Sequence, residues 1–157
     1  MYYRAISQNK WLTLFSNNNY SGDAITGDLR TSNNTLSIWR IDETNVNCID
    51  DYCIITALNR DSLAKVVYVI LDDEELKKFT LNQVDGVCEA FIDSDIKKNH
   101  YDLINIGYKE LGDFAKLISE KVQKGQFTIL TKSEMKQKIQ NSNSVDKNKI
   151  SGKFFKN

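Results

Sequence analysis

Proline is absent from this 157-residue chain, histidine occurs once, and the longest uninterrupted apolar run, Val66 to Leu71, has six residues. A helix that crosses a bilayer needs about 20 apolar residues, so no membrane span is expected. The three cysteines, Cys48, Cys53 and Cys88, are too few and too irregularly spaced for a disulfide framework. The opening MYYRAISQNK also lacks the basic-then-apolar order of a secretory signal, so a cytoplasmic protein is expected. No serine lies in a G-x-S-x-G turn, and neither G-x-G-x-x-G nor G-x-x-x-x-G-K-[ST] occurs. The sharp nucleophile turn and the phosphate-cradling backbone loops are therefore missing. No motif specifies a function, and no cofactor is implied.

What is present is an ordinary globular composition, 41% apolar and 27% charged. A chain of this length buries roughly 68–70% of its unfolded surface and can support one core. Net charge is zero, yet residues 1 to 96 carry 8 basic against 15 acidic side chains, and residues 97 to 157 carry 13 against 6. This split has two readings: Lys-rich C-terminal helices packed beside an acidic half, or an acidic surface that faces a basic partner. Seventeen of the 21 basic residues are Lys, and Asn and Ile occur 16 times each. The bias is that of an AT-rich bacterium or its phage.

Tyr2 to Ile6 has β-type residues, and Ser7 is placed to cap a short helix carrying Trp11, Leu12, Leu14 and Phe15. After a second short segment, Asp23 to Leu29, the run Arg30-Thr31-Ser32-Asn33-Asn34 reads as a loop, since Asn bonds its own backbone and tolerates positive φ. Thr35 to Ile41 reads as a strand, with Trp39, Thr35, Ser37 and Ile41 on one face and Leu36 and Ile38 on the other. Cys48 to Leu58 has the spacing of an amphipathic helix that Asn47 is placed to cap. The β-branched run KVVYVIL reads as a central strand covered on both faces. The acids Asp72 to Glu75 then open a helix whose macrodipole favours them.

A strand at Val87 to Ile92 and a loop around Asn99 to Asp102 are expected next. Tyr108 to Lys124 is a helix by its stripe of Leu111, Phe114, Ala115, Ile118 and Val122, stopped by Gly125. Phe127 to Leu130 reads as a strand, and Thr131-Lys132-Ser133-Glu134 as a capping box opening a helix to about Ile139. The fold class expected is α/β or α+β: one domain over residues 1–140, a central sheet of about four or five strands with packed helices, and a polar, flexible tail over 141–157.

Candidate chemistry is sparse. His100 beside Asp102 has the composition of a general base and its orienting carboxylate, although a lone His in a polar loop is more often a surface residue. Arg30, Thr31, Asn33, Asn34, Trp39 and Arg40 gather guanidinium, hydroxyl, amide and indole groups suited to phosphate and base recognition. The competing reading is an Asn-rich turn with Arg30 paired to Asp28 or a neighbouring acid and Trp39 in the core. Cys48, Cys53, Cys88 and His100 have the ligand types of a zinc site but not its paired spacing, so buried thiols and no metal are expected.

The leading expectation is a non-enzymatic protein-binding component, such as an immunity protein, an antitoxin or a small subunit of a bacterial or phage conflict system, whose partner has a basic surface. The alternative is an enzyme or binding module acting on nucleotide or nucleic acid through Arg30, Trp39, Arg40, His100 and Asp102. A third route is sequence-independent nucleic-acid binding by the Lys-rich C-terminal region.

Overall fold

The computed structural model describes residues 1–7, 11, 22–45, 47–60, 62–85, 90–91 and 95–150. They form one antiparallel sheet of six strands: β1 (Tyr2–Ile6), β2 (Leu36–Arg40), β3 (Val66–Leu71), β4 (Thr80–Gln83), β5 (His100–Ile104) and β6 (Thr128–Leu130), in the order β4-β5-β2-β1-β3-β6. Five α-helices accompany them among the described residues: α1 (Gly22–Asp28), α2 (Cys48–Leu58), α3 (Asp73–Leu76), α4 (Tyr108–Gln123) and α5 (Lys132–Asn141). Antiparallel pairing throughout makes the fold α+β, with one strand more than the sequence suggested.

A core lies on each face of the sheet. On one face Ile38, Val67, Val69 and Leu103 meet Ala24 of α1 and Phe114, Ala115, Ile118 and Val122 of α4. On the other, Tyr3 and Val66 meet Tyr52, Ile54 and Ile55 of α2 and Met135 and Ile139 of α5. β3 feeds both cores, which is why its sequence is apolar without alternation. Each such side chain removed from water stabilises the fold by about 1.5–3 kcal/mol before the entropy of ordering is subtracted.

Local signals explain several boundaries. α4 ends in a Schellman arrangement: Gly125 N–H donates to Val122 O at 3.1 Å and Gln126 N–H to Lys121 O at 2.9 Å, with Gly125 at φ 69°, a conformation that costs glycine least. Thr131 and Glu134 form the expected reciprocal cap of α5. Asp72 and Glu75 do the same for the single turn of α3, so those acids serve a capping box as well as the helix dipole. Asn33 and Asn34 take positive φ, 52° and 58°, between Ser32 and Thr35, which are bridged. Two consecutive positive-φ residues are the signature of a tight hairpin turn.

Four expectations change. α2 is buried nearly all round, on Cys48, Asp51, Tyr52, Cys53, Ile54, Ile55 and Ala57, because it lies between the sheet and α5. Its side chains do not divide into a wet and a dry face, and Asn47 makes no side-chain cap bond. The segment around His100 to Asp102 is a strand: β5 inserts between β4 and β2, and its polar residues alternate onto one face while Tyr101 and Leu103 take the other. The strands of this region are β4 and β5; at the expected Val87 to Ile92 strand, Phe91 forms an isolated bridge to Val145, and most of the remainder lies outside the described residues. Finally, the polar segment after Asn141 is docked as far as Ile150: Val145 and Ile150 are buried in the α2 core, and Asp146 N–H donates to Ala90 O at 2.8 Å. Trp11 is helical and buried, whereas Leu12, Leu14, Phe15, Cys88 and residues 151–157 lie outside the described residues.

Candidate functional site

β-sheet register brings three of the expected site residues together. Trp39 pairs with His100 and Ser37 with Asp102 across β2 and β5, so all four side chains project from the same face. The imidazole lies 4.6 Å from the Trp39 ring, centroid to centroid, and Tyr52 stacks on the indole at 5.2 Å and 24°. Tyr52 in turn donates to Arg40 O at 2.6 Å, so α2 is fastened over this ring group.

The chemistry of the group is restrained. Ser37 Oγ donates to Asp102 Oδ1 at 2.9 Å, and His100 Nε2 stands 3.9 Å from that same oxygen, beyond hydrogen-bond distance. Asp102 is thus engaged by serine and does not orient the imidazole. Burial pushes His100 below the ordinary imidazole pKa, with Asp102 pulling weakly the other way. At neutral pH it is therefore an uncharged ring, and among the described residues its Nδ1 has no hydrogen-bond partner. The indole is already in ring contact with two side chains of the protein, which leaves it poorly placed to stack on a base.

The other candidates are dispersed. Arg40 projects from the opposite face of β2, where the Tyr101 hydroxyl raises its pKa. Arg30 is exposed, and Thr31, Asn33 and Asn34 lie at the turn before β2, at the far end of that strand from the Trp39–His100 pair. Asn34 O accepts from Ile106 N–H at 3.0 Å, which ties this turn to the end of β5. Asp28, one of the acids expected to pair with Arg30, accepts from Trp11 Nε1 at 2.7 Å and from Ser7 N–H.

Sequence reasoning missed Arg4. Its guanidinium donates to the backbone oxygens of Ser37 and Asp28, and burial lowers its pKa. An arginine in the middle of a strand gives no local signal of such a role. The thiols behave as expected: Cys48 and Cys53 are free and buried, and burial lifts both, Cys53 to about 12. Among the described residues no cluster of His, Cys, Asp and Glu has the arrangement of a metal site.

A more open feature lies between α2 and α5. A cleft of about 560 Å³ is lined by Asn47, Asp50, Asp51, Glu134, Gln137 and Lys138, with Ile54 of α2, Leu130 of β6 and the 141–144 segment completing it. Of its three carboxylates, Asp51 is buried, Glu134 accepts from Thr131 in the α5 cap, and Asp50 Oδ2 sits 2.6 Å from Lys138 Nζ. Asp50 and Lys138 are 88 residues apart, so the sequence showed the charges without their meeting place. The divided charge of the chain is partly neutralised in this way, since Lys121–Glu75 at 2.8 Å also joins a base of the C-terminal half to an acid of the N-terminal half.

No protein-family model, curated protein or solved structure matches the chain significantly. Among the described residues no helix is long and apolar enough to cross a membrane.

Proposed function

We propose that the protein is a non-enzymatic, cytoplasmic protein-binding component, of the kind represented by immunity proteins, antitoxins and small subunits of bacterial or phage conflict systems, and that its partner presents a basic surface. The observation that carries this reading is the α2–α5 cleft. Beside the apolar Ile54 and Leu130, its amides, hydroxyls and the solvent-reaching carboxylates of Asp50 and Glu134 offer acceptors to Lys and Arg side chains. The uncharged His100 and its serine-engaged Asp102 support a structural role for the ring group better than proton transfer.

Affinity purification from the native host, with wild type beside a Gln137→Lys variant, tests the reading. A protein that co-elutes with wild type in stoichiometric amount and is lost from the variant supports it. Isolation of the chain alone, together with turnover of a nucleotide or nucleic acid, overturns it.

The alternative reading, an enzyme or binding module for nucleotide or nucleic acid, draws support from the Trp39, His100 and Asp102 grouping. It requires Arg40 to act from the other face of the sheet. Nucleotide titration followed by Trp39 fluorescence tests it: saturable quenching lost in a His100→Gln variant supports the alternative, and an unchanged spectrum opposes it. Salt-sensitive nucleic-acid binding by the Lys-rich C-terminal region is read from the slope of affinity against ionic strength.

A further inference from the structure

β6 is the outer strand beside β3, and among the described residues nothing pairs with its other edge. Edge strands are ordinarily blunted by charge or proline. This one reads Thr128-Ile129-Leu130, with no charge in the strand and Ile129 40% exposed. The opposite edge, β4, reads Thr-Leu-Asn-Gln, and its one large apolar side chain, Leu81, packs inward.

Two concavities meet at β6. Leu130 borders the α2–α5 cleft, and Thr128 borders a second cleft of about 420 Å³ walled by Tyr68, Ile70 and Phe127, with Asp72 and Lys121 among its other lining residues. Thr128 and Leu130 are two residues apart, so they share a face of the sheet. A strand added to β6 places its own alternate side chains on that face, about 6–7 Å apart, one toward each cleft. Main-chain bonds along an open edge, with pockets for alternate side chains, are the elements of recognition by strand addition.

We infer that β6 is the docking edge for an extended segment of the partner protein, one that carries a Lys or Arg two residues from a large apolar side chain. The basic residue faces the solvent-reaching carboxylates of Asp50 and Glu134, and the apolar one meets Tyr68, Ile70 and Phe127. A second copy of the chain fits less well, because β6 itself offers Thr128 and Leu130 to that face and no cation. The inference rests on the protein-binding reading above and makes it specific.

The probe is a fluorescein-labelled peptide, Thr-Thr-Lys-Thr-Phe-Thr-Thr, followed by anisotropy and by amide NMR of the full chain. Saturable binding is expected, with shifts centred on Phe127 to Thr131, about tenfold weakening when the probe's Lys becomes Glu, and loss in Ile129→Pro protein that retains wild-type circular dichroism. N-methylation of alternate probe residues reads the same edge with the protein unaltered: one register abolishes binding and the other spares it. No binding, indifference to both N-methylation registers, or shifts confined to α2 and α5 overturns the edge assignment. A β6-dependent dimer of the protein alone in sedimentation equilibrium overturns it in favour of a second copy. If the native partner co-purifies equally with wild type and Ile129→Pro, the protein-binding reading stands and this inference fails. If wild type yields no native partner and turns over a nucleotide or nucleic acid, the broader reading fails with it.

Discussion

Replacing Lys138 by Met separates what holds α5 in place from what the cleft is for. The Lys138–Asp50 pair is short, 2.6 Å, but the two side chains are 28% and 45% exposed. Solvent screening and side-chain entropy then limit its worth to about 0.2–1 kcal/mol. α5 is anchored chiefly by Met135 and Ile139, both fully buried, and truncating either to Ala is expected to cost about 2–5 kcal/mol. Lys138→Met should therefore lower stability by no more than about 1 kcal/mol, a Tm shift of about 2–4 °C, while retaining most of the lysine's apolar stem. Among the described residues, the same change removes the one cation of a cleft whose lining includes Asp50, Asp51 and Glu134. Affinity for a basic peptide should rise about two- to fivefold at low salt, and the gain should fade as salt screens exposed charges. Urea unfolding measures the first quantity and fluorescence anisotropy the second. A stability loss above about 2 kcal/mol would show that the ion pair, rather than packing, seats α5. Weaker binding would show that Lys138 itself contacts the partner and that the electrostatic argument has the wrong sign.

Three further outcomes follow from the structure. His100 is held neutral by burial, so the unfolded chain takes up its proton more readily than the folded one. Stability should be full above the ordinary imidazole range and fall on acidification through it. This one group contributes a slope of at most about 1.4 kcal/mol per pH unit, and that component should vanish from urea titrations of His100→Gln. Gly125→Ala forces a Cβ into φ 69°, which should destabilise by about 1 kcal/mol, whereas Gly112→Ala in the middle of α4 meets no atom within 4 Å and should be neutral or stabilising by up to about 1 kcal/mol; thermal melts rank the two. With Cys48 and Cys88 replaced by Ser, the remaining Cys53, lifted to about 12, should react with a disulfide reagent only as fast as the chain unfolds. Rapid labelling of native protein would contradict its burial.

Much of the fold was legible because its signals are local. The β-branched run of β3, the apolar stripe and Gly125 stop of α4, the Thr131–Glu134 cap and the paired asparagines before β2 each concern residues within a turn or two of one another. The candidate site was legible only in part. Trp39, His100 and Asp102 were named from their chemistry and do meet, but Arg40 faces away by strand alternation and Arg30 lies beyond the turn. The α2–α5 cleft left no trace in any short window, since its two charged partners come from distant segments.

By itself, then, the sequence determined that there would be a mixed domain, where its clearest strand and helices run, and that no common catalytic or phosphate-binding motif is written into it. Tertiary structure alone decided that β5 is a strand, that α2 is enclosed on nearly every side, that the C-terminal segment docks as far as Ile150, and which charges of the two halves neutralise each other. The physical reason is range. Hydrogen-bonded turns, caps and side-chain periodicity are fixed by neighbours along the chain, whereas strand order, burial of a polar segment and the lining of a cleft depend on contacts between segments that meet only once the whole chain has folded.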